Sequence, residues 1–322
     1  MLDKFSREWN LPLVHKTGAI WLFQSNPVYG TASAEVLQQY AYKFAEMDLA
    51  KAEAQFPQIN FSDIQRVFFE ADAGFMEARR VCQWLVNQFQ KEEGDFRLAA
   101  VKPGPQQNEK LQSLQLSDGT TIEVDQYVFA CGPWNKKLFP ELFQQHIYVS
   151  RQEVYYFGLP SNAAPFLAPQ LPIWLDFDDD EILHYGIPDH KYRGFKVAYD
   201  IREQSIDPTH DDRSPTPAIL ERSRKFLAHR FPALKNAPLL ETRVCNYENS
   251  PDGHFLIDRH PALHNVIVAG GSSGHGYKMG SAVGELIAQH LLLGKALDPF
   301  FSLQRLKRLK QRSNQFFSQQ KG

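Results

Sequence analysis

The sequence lacks several features that would assign it to a special class of protein. It has no apolar run long enough to cross a bilayer, and its first residues include an acid but no apolar core, so neither a membrane span nor a secretory signal is expected. Its formal net charge is only −2, and no broad basic stripe precedes the C-terminus, which argues against nucleic-acid binding. With 322 residues, we expect a globular protein of one or two domains.

Cysteine is also scarce. Cys82, Cys131 and Cys245 are odd in number and lie far apart. This spacing excludes a disulfide framework and a zinc cluster, and it predicts a reducing, cytoplasmic location. Because a free cysteine most often packs as a small apolar side chain, Cys82 and Cys131 are expected in the core.

A standard dinucleotide-binding fingerprint is missing too. One glycine-rich loop, residues 270–276, joins an apolar strand to a helix, but Met279 stands where G-x-G-x-x-G requires its third glycine. A helix N-terminus still offers free N–H groups and positive partial charge, so an anion can bind there. Taken alone, this loop fits an ordinary strand–helix turn as well as it fits a ligand site.

The pattern of apolar residues predicts a chain of strands and helices. Asp118-Gly119 between two alternating runs predicts a tight hairpin. Residues 146–245 are rich in strand patterns, so the expected fold class is α/β, or α+β, with a mainly antiparallel sheet. The other predicted strands are residues 18–23, 127–130 and 265–269, and the predicted helices are residues 34–55, 76–90, 217–231 and 279–293.

Five segments resemble one family when taken in order. They are residues 130–134 (ACGPW), 185–188 (YGIP), 194–197 (GFKV), 243–258 and 266–278. Together they resemble the monomeric sarcosine oxidase and N-methyltryptophan oxidase family, within the D-amino-acid-oxidase superfamily of FAD-dependent oxidoreductases. Each short segment is weak evidence alone, but their order and spacing are kept over nearly the whole chain.

The resemblance implies an enzyme that oxidises the C–N bond of a secondary or tertiary amino acid. Hydride passes to FAD, and O₂ reoxidises the flavin to give H₂O₂. The implied layout interleaves a substrate domain (residues 1–66 and 146–245) with an FAD-binding lobe (67–145 and 246–300), followed by a C-terminal helical tail (301–322). The family's N-terminal unit with G-x-G-x-x-G is absent from this sequence, so the FAD-binding lobe is expected to be incomplete.

The resemblance also assigns roles to single residues. Cys245 falls on the cysteine that bonds covalently to the flavin, and Lys278 on the lysine that binds the substrate carboxylate. Tyr185 and Tyr247 fall on active-site aromatics, and Lys196 on the lysine near the flavin that helps oxygen accept electrons. The loop residues expected to contact the cofactor, together with Lys278, are Gly271, Ser273, Gly274, His275 and Gly276.

Each of these residues also has a plainer interpretation. Lys196 fits a lysine that protects an edge strand, Lys278 a solvated lysine in a first helical turn, and Cys245 a buried strand residue. Tyrosines commonly serve only as packing aromatics. Strand alternation places Lys196, Ala198 and Asp200 on one face, and Asp200 replaces a family histidine, so the substrate stays open.

The whole chain has alternatives as well. One is a non-catalytic fragment or pseudo-enzyme of the same family that cannot hold FAD alone and serves as a binding scaffold. Another is that a separate chain supplies the missing N-terminal lobe. An in-frame G-x-G-x-x-G upstream in the gene would favour a misplaced start.

Overall fold

The computed structural model describes residues 2–9, 12–25, 28–144, 146–178, 182–202 and 205–306. Its helices are α1 Leu2–Glu8, α2 Val28–Gln39, α3 Leu49–Gln55, α4 Ala78–Lys91, α5 Asn135–Leu138, α6 Pro140–Phe143, α7 Pro217–Arg230, α8 Gly276–Leu293 and α9 Leu303–Leu306. Its strands are β1 Val14–Lys16, β2 Ala19–Phe23, β3 Ala45–Met47, β4 Arg66–Glu70, β5 Gly74–Met76, β6 Val101–Pro103, β7 Gln106–Gln107, β8 Lys110–Leu111, β9 Leu114–Leu116, β10 Thr121–Ile122, β11 Tyr127–Phe129, β12 Tyr148–Phe157, β13 Ile173–Phe177, β14 Leu183–Ile187, β15 Phe195–Tyr199, β16 Leu239–Asn249, β17 Leu256–Arg259 and β18 Val266–Gly270. The fold class is therefore α/β, as predicted.

An eight-stranded sheet dominates the fold, in the order β16-β12-β15-β14-β13-β2-β4-β3. Only the β13–β2 pair is parallel, so the expected, mainly antiparallel sheet is confirmed. Its strands come from residues 19–70 and 148–249. The boundaries of the two predicted domains stay a prediction.

One face of this sheet packs against helices and forms the main core. Alternate strand residues such as Ile20, Trp174 and Val197 point to that side, where Leu227 of α7 and Ala52 of α3 meet them. All five are almost fully buried. The other face carries a smaller apolar cluster around Phe177 of β13.

A buried ion pair fixes α7 to the sheet. Arg230, the last residue of α7, is fully buried and donates to Asp176 on β13 and, at 2.7 Å, to Asp63. Burial raises the pKa of Asp176 to about 6 even though Arg230 works in the opposite direction. Arg230 therefore links three segments that are distant in sequence: α7, β13 and the loop that carries Asp63.

A second sheet, β11-β18-β17, positions the glycine-rich loop. β11 and β18 pair in parallel, and β17 pairs antiparallel with β18. Helix α8 returns across this sheet and packs Ile287 against Ile257 and Ile267. The loop of residues 271–275 thus links a fully buried strand, β18, to the start of α8.

The structure corrects the predicted helix over residues 34–55. Helix α2 ends at Gln39, strand β3 then pairs with β4, and α3 begins after Asp48. The Asp48 carboxylate accepts a hydrogen bond from the Lys51 N–H at 3.2 Å and caps α3. The capping residue Asp48 thus marks the start of a second helix in a segment that apolar periodicity alone predicts as one helix.

Most other element predictions are confirmed with shifted ends. Helices α4 and α7 and the Asp118-Gly119 hairpin form where expected, with Gly119 at φ +88°. Helix α8 begins at Gly276, earlier than predicted, and ends at Gly294 in the left-handed conformation. Of the predicted tail, Leu303–Leu306 is helical and residues 307–322 lie outside the described residues. No helix among the described residues is long and apolar enough to cross a membrane.

The cysteines only partly follow the prediction. Cys131 is partly buried against the core of the second sheet, in line with its expected packing role. Cys82 is exposed, so its predicted core position is wrong. It lies on α4 one residue after buried Val81, on the side of the helix that faces away from the protein.

Candidate functional site

The candidate site lies on the face of the eight-stranded sheet opposite the main core. Along β15, Phe195 and Val197 are buried in that core, whereas Lys196 is only partly buried on the other side. Strand β15 runs between β12 and β14, so Lys196 is not an edge-strand lysine. The plainer interpretation of Lys196 is therefore wrong, and its position in the sheet needs another explanation.

Two tyrosines meet on this face. The hydroxyl oxygens of Tyr185 on β14 and Tyr247 on β16 lie 3.2 Å apart and share a hydrogen bond. Burial raises the pKa of Tyr247 to about 12 and that of Tyr185 well above its usual value. Both phenols are therefore neutral at physiological pH and can donate hydrogen bonds.

Lys196 lies beside this tyrosine pair. Its Nζ is 5.1 Å from the centroid of the Tyr185 ring, a distance at which an ammonium is attracted to the ring face. Burial lowers the pKa of Lys196 to about 8, while the nearby Cys245 works in the opposite direction. The side chain is thus a cation at neutral pH and close to its titration point.

Cys245 opens into a large cavity. It is exposed, and it lines, together with Lys196, a cavity of about 990 Å³. That volume is at the upper end of the usual range for small-molecule sites, about 300–1,000 Å³. The interpretation of Cys245 as a small core residue is therefore wrong, because its thiol is accessible to a ligand.

A buried arginine links the sheet to the glycine-rich loop. Arg202 Nε lies 3.3 Å from Oδ1 of Asp200, and its NH2 donates to the Ser273 carbonyl at 2.8 Å. Its NH1 donates to Asn249 at 3.1 Å, and its Cζ is 5.6 Å from the centroid of the Tyr247 ring. Burial raises the pKa of Asp200, although Arg202 offsets part of that rise. The sequence analysis missed Arg202, and its spacing of two from Asp200 was the available signal.

Within the loop, Gly271 and Ser273 maintain its shape. The Gly271 N–H donates to the Glu248 carboxylate at 2.8 Å, and the Ser273 hydroxyl donates to the Gly271 carbonyl at 3.1 Å. Ser273 is fully buried, and its Oγ also accepts from the Ser250 N–H at 3.1 Å. Burial raises the pKa of Glu248 to about 8. These residues shape the loop from inside the protein.

Gly274 and His275 occupy the part of the loop nearest the tyrosines. Gly274 has φ +85°, and a Cβ at this position would lie 2.8 Å from the Tyr247 ring. The close approach therefore requires glycine. His275 precedes the first turn of α8, and burial lowers its pKa to about 4, so its imidazole is neutral at physiological pH.

Gly276 and Lys278 lie in the first turn of α8. A large part of the surface of Lys278 is exposed to solvent. Burial of its ammonium group nevertheless lowers its pKa, and Glu70 on β4 acts in the opposite direction. A cation near a helix N-terminus is unfavourable unless something else holds it. Glu70 is such a group, and it lies on the same sheet face as Tyr185 through the paired strands.

The structure thus brings together most residues that the sequence singled out. Tyr185, Tyr247, Lys196 and Cys245 share one face of one sheet, and Gly274 packs against Tyr247. Gly271 and Ser273 instead lie beneath the loop, where they bind other protein groups.

Comparison with known proteins identifies the family of the chain. The sequence profile of the family described as "FAD dependent oxidoreductase" matches residues 1–290. A monomeric sarcosine oxidase from Bacillus sp. (strain NS-129) is 34% identical over 194 residues, which cover 58% of this chain and 48% of that protein. The chain thus spans about half the length of this relative. An N-methyl-L-tryptophan oxidase from Salmonella dublin is 27% identical over 321 residues, or 92% of this chain and 79% of that protein.

Solved structures share the fold. The L-proline dehydrogenase from P. horikoshii superposes with a TM-score of 0.79 at 19% identity, covering 96% of this chain and 81% of that one. A fructosyl peptide oxidase superposes with a TM-score of 0.78 at 18% identity, with the same coverage of this chain. The resemblance inferred from the five sequence segments is thereby confirmed, and the chain belongs to the family of FAD-dependent oxidoreductases.

Proposed function

We propose that the protein oxidises the C–N bond of a secondary or tertiary amino acid of the sarcosine type, with FAD attached through Cys245. The observation that carries this proposal is that the Cys245 thiol and the Lys196 side chain open into one cavity beside the Tyr185–Tyr247 pair. A nucleophilic atom and a cation thus line a space of ligand size, and two phenolic donors lie beside the cation.

The residues present fit a flavin. The cavity has the volume for a small-molecule ring system, and the exposed thiol at its wall could form a thioether with a methyl carbon on such a ring, with loss of the S–H and C–H protons and transfer of the two electrons to the ring. The missing side chain at Gly274 leaves the start of α8 close to Tyr247, where the helix N-terminus favours negative charge. Cys245, the loop residues Gly274 to Gly276 and Lys196 are the groups that would hold it.

When bound, the flavin supplies a hydride acceptor that O₂ later reoxidises, giving H₂O₂. The remaining work belongs to the side chains of this chain. Lys278 binds the carboxylate of the amino acid, and the neutral Tyr185 and Tyr247 orient the amine by hydrogen bonds. The substrate loses a hydride from the carbon beside nitrogen, and water hydrolyses the resulting imine to an amine and an aldehyde.

Lys196 has a separate task in this proposal. Oxygen is neutral and becomes an anion on accepting the first electron. A preorganised cation stabilises such developing charge more strongly inside a protein than in water. The Lys196 ammonium, held over the Tyr185 ring, is placed to do so. The cytoplasmic location stays a prediction alongside these roles.

Anaerobic mixing of the purified chain, reconstituted with FAD, with sarcosine, N-methylalanine or proline tests the proposal. We expect the flavin absorbance to bleach with at least one of them, and admission of air to restore it with one H₂O₂ per turnover. A chain that binds FAD but is bleached by none of these amines would contradict the proposed substrate class.

The alternative is a binding protein of the same family without catalysis. It predicts a chain that stays colourless after incubation with FAD and binds amino acids without oxidising them. If the chain bound FAD only after a separate G-x-G-x-x-G lobe was added, the cofactor would be shared between two chains.

A further inference from the structure

Besides Cys245 and Lys196, the cavity is bordered by many cations. Its lining includes six further basic side chains: Arg79, Arg80, Lys191, Arg193, Arg213 and Arg243. Among the described residues that line it, Glu77 is the one acidic side chain. Because the whole chain carries a net charge of −2, this concentration of positive charge is a local property of the cavity and does not reflect the overall composition of the chain.

The Glu77 carboxylate already has four basic partners, two cations and two imidazoles. Its Oε1 lies 2.6 Å from Lys191 Nζ and 3.4 Å from Arg80 NH1. The same oxygen lies 3.0 Å from His15 Nε2 and 3.4 Å from His190 Nε2. Partial burial works the other way, but these hydrogen bonds lower the pKa of Glu77 to about 2. One carboxylate therefore serves two permanent cations.

Glu241 plays the same part for two other cations of the lining. It accepts hydrogen bonds from Arg193 at 3.2 Å and from Arg243. Glu77 and Glu241 thus serve four cations, Asp211 lies 3.6 Å from a fifth, Arg213, and Arg79 and Lys196 come in addition. A cleft that holds an excess of one charge sign between low-dielectric walls concentrates its field and attracts ligands of the opposite sign.

The turn that carries two of these cations has an unfavourable backbone. Lys191 and Tyr192 both have left-handed φ angles, 57° and 61°, which residues other than glycine seldom adopt. The Asp189 carboxylate holds the turn by accepting the Gly194 N–H at 2.9 Å. Strain of this kind is found preferentially at ligand sites. Here it keeps Lys191 and Arg193 at the edge of the cavity.

We propose that this cavity recognises an amine substrate with a second carboxylate, that is, an N-substituted dicarboxylic amino acid. The proposal rests on the proposed function and specifies its substrate class. The second carboxylate meets the guanidinium groups at the cavity edge. Arginine suits this role because its planar fork can donate two parallel hydrogen bonds to one carboxylate.

Isothermal titration calorimetry with unreactive anions tests this assignment directly. At low salt, we expect the FAD-reconstituted chain to bind succinate at least about tenfold more tightly than acetate, because the second anionic group adds to the attraction of the basic cavity edge. Arg79→Gln and Arg193→Gln should each weaken succinate binding about fivefold. Arg97→Gln is the matched control, since Arg97 is exposed, pairs with Asp95 at 2.6 Å and does not line the cavity.

The possible outcomes separate the ligand class from the chemistry. Equal affinities for succinate and acetate, or equal losses in Arg79→Gln and Arg97→Gln, would overturn the assignment. Tighter binding of pyrophosphate than of succinate would also overturn it in favour of a phosphate-bearing ligand. Specific succinate binding without oxidation of N-methylaspartate would support the ligand class and contradict the proposed oxidation. Thermal melts followed by circular dichroism show whether each variant is folded.

Discussion

At the scale of single residues, Lys196 carries the most specific expectation. Its ammonium lies over an aromatic ring in surroundings that lower its pKa to about 8. Replacing it with methionine keeps the length of the side chain and removes the charge. We predict that Lys196→Met slows flavin reoxidation by O₂ at least about a hundredfold, in keeping with the loss of one preorganised electrostatic group. Rapid-mixing absorbance should show flavin reduction by the amine within about threefold of wild type.

The same residue predicts a pH dependence. The fraction of Lys196 that is protonated falls as the pH rises through about 8, so the oxygen step should slow above that pH. The measurement is the reoxidation rate between pH 6 and pH 10. A flat profile in the wild type, or a fall that persists in Lys196→Met, would assign the titration to another group.

Gly274 gives a residue-scale prediction about the loop. Alanine at this position must adopt φ +85° and would place its Cβ 2.8 Å from the Tyr247 ring. We therefore predict that Gly274→Ala lowers the free energy of unfolding by about 1–2 kcal/mol and disturbs the Tyr185–Tyr247 pair. Denaturant unfolding and tyrosine absorbance at alkaline pH measure the two effects.

Gly280 supplies the control for that substitution. It lies inside α8, and a Cβ built there meets nothing within 4 Å. Gly280→Ala should raise the free energy of unfolding by about 0.5–1 kcal/mol, because alanine favours a helix interior. Similar effects from both substitutions would show that the close approach at Gly274 is unimportant.

At this scale, sequence patterns predicted part of the candidate site. Strand alternation placed Lys196 on the face away from the core, and the residues around Cys245 marked the family. Arg202 and Glu248 were not anticipated, because the contacts that tie them to the rest of the site, unlike the pairing of Arg202 with Asp200, reach far along the sequence. Arg202 binds a carbonyl 71 residues later, and Glu248 binds an amide 113 residues earlier. No local pattern encodes such contacts.

At the scale of elements, helix α7 depends on one buried arginine. Arg230 is fully buried between Asp176 and Asp63, and removing it leaves the buried Asp176 without its cation, whereas Asp63 keeps His229 at 2.8 Å. We predict that Arg230→Met lowers the free energy of unfolding by about 3–5 kcal/mol at pH 7. The loss is measured by denaturant unfolding.

The pH dependence of that loss has a defined sign. Asp176 has a folded-state pKa raised from its ordinary value of 3.8 to about 6, so the folded protein binds more protons than the unfolded chain between these two pH values. Stability from this group therefore falls as the pH rises through that window. The destabilisation in Arg230→Met should be smaller at pH 5, where Asp176 can be neutral.

Lys225→Met is the matched control on the same helix. Lys225 pairs with Glu221 at 3.8 Å, with both side chains mostly exposed. Such a pair contributes little, so the change should be within about 0.5 kcal/mol. An equal effect from the two substitutions would mean that burial of Arg230 adds nothing to the stability of α7.

Elements were easier to predict than their boundaries. Long periodic segments gave α4, α7 and α8, because one apolar stripe per helix is visible in sequence. The predicted helix over residues 34–55 was wrong, because β3 is only three residues long and is a strand through its pairing with β4. A strand that short has no period of its own to detect.

At the scale of the whole molecule, the two faces of the eight-stranded sheet carry different kinds of residue. One face is covered by α3 and α7 and carries the largest apolar core, while the other carries the tyrosines, Lys196 and Cys245. Polar substitutions near Lys196 and Cys245 should therefore alter ligand binding more than folding, whereas polar substitutions in the smaller apolar cluster around Phe177 on the same face should also destabilise the fold. The order of strands in this sheet could not be predicted, since β2 and β13 pair across about 150 residues of chain.

We propose that this chain holds a flavin through Cys245, and acid precipitation after reconstitution with FAD tests the proposal most directly. We expect yellow colour to stay with the denatured wild-type protein and with Cys82→Ala, whose cysteine is also exposed, but to be released from Cys245→Ala. Acid-stable flavin in Cys245→Ala, or its release from the wild type, would contradict the claim.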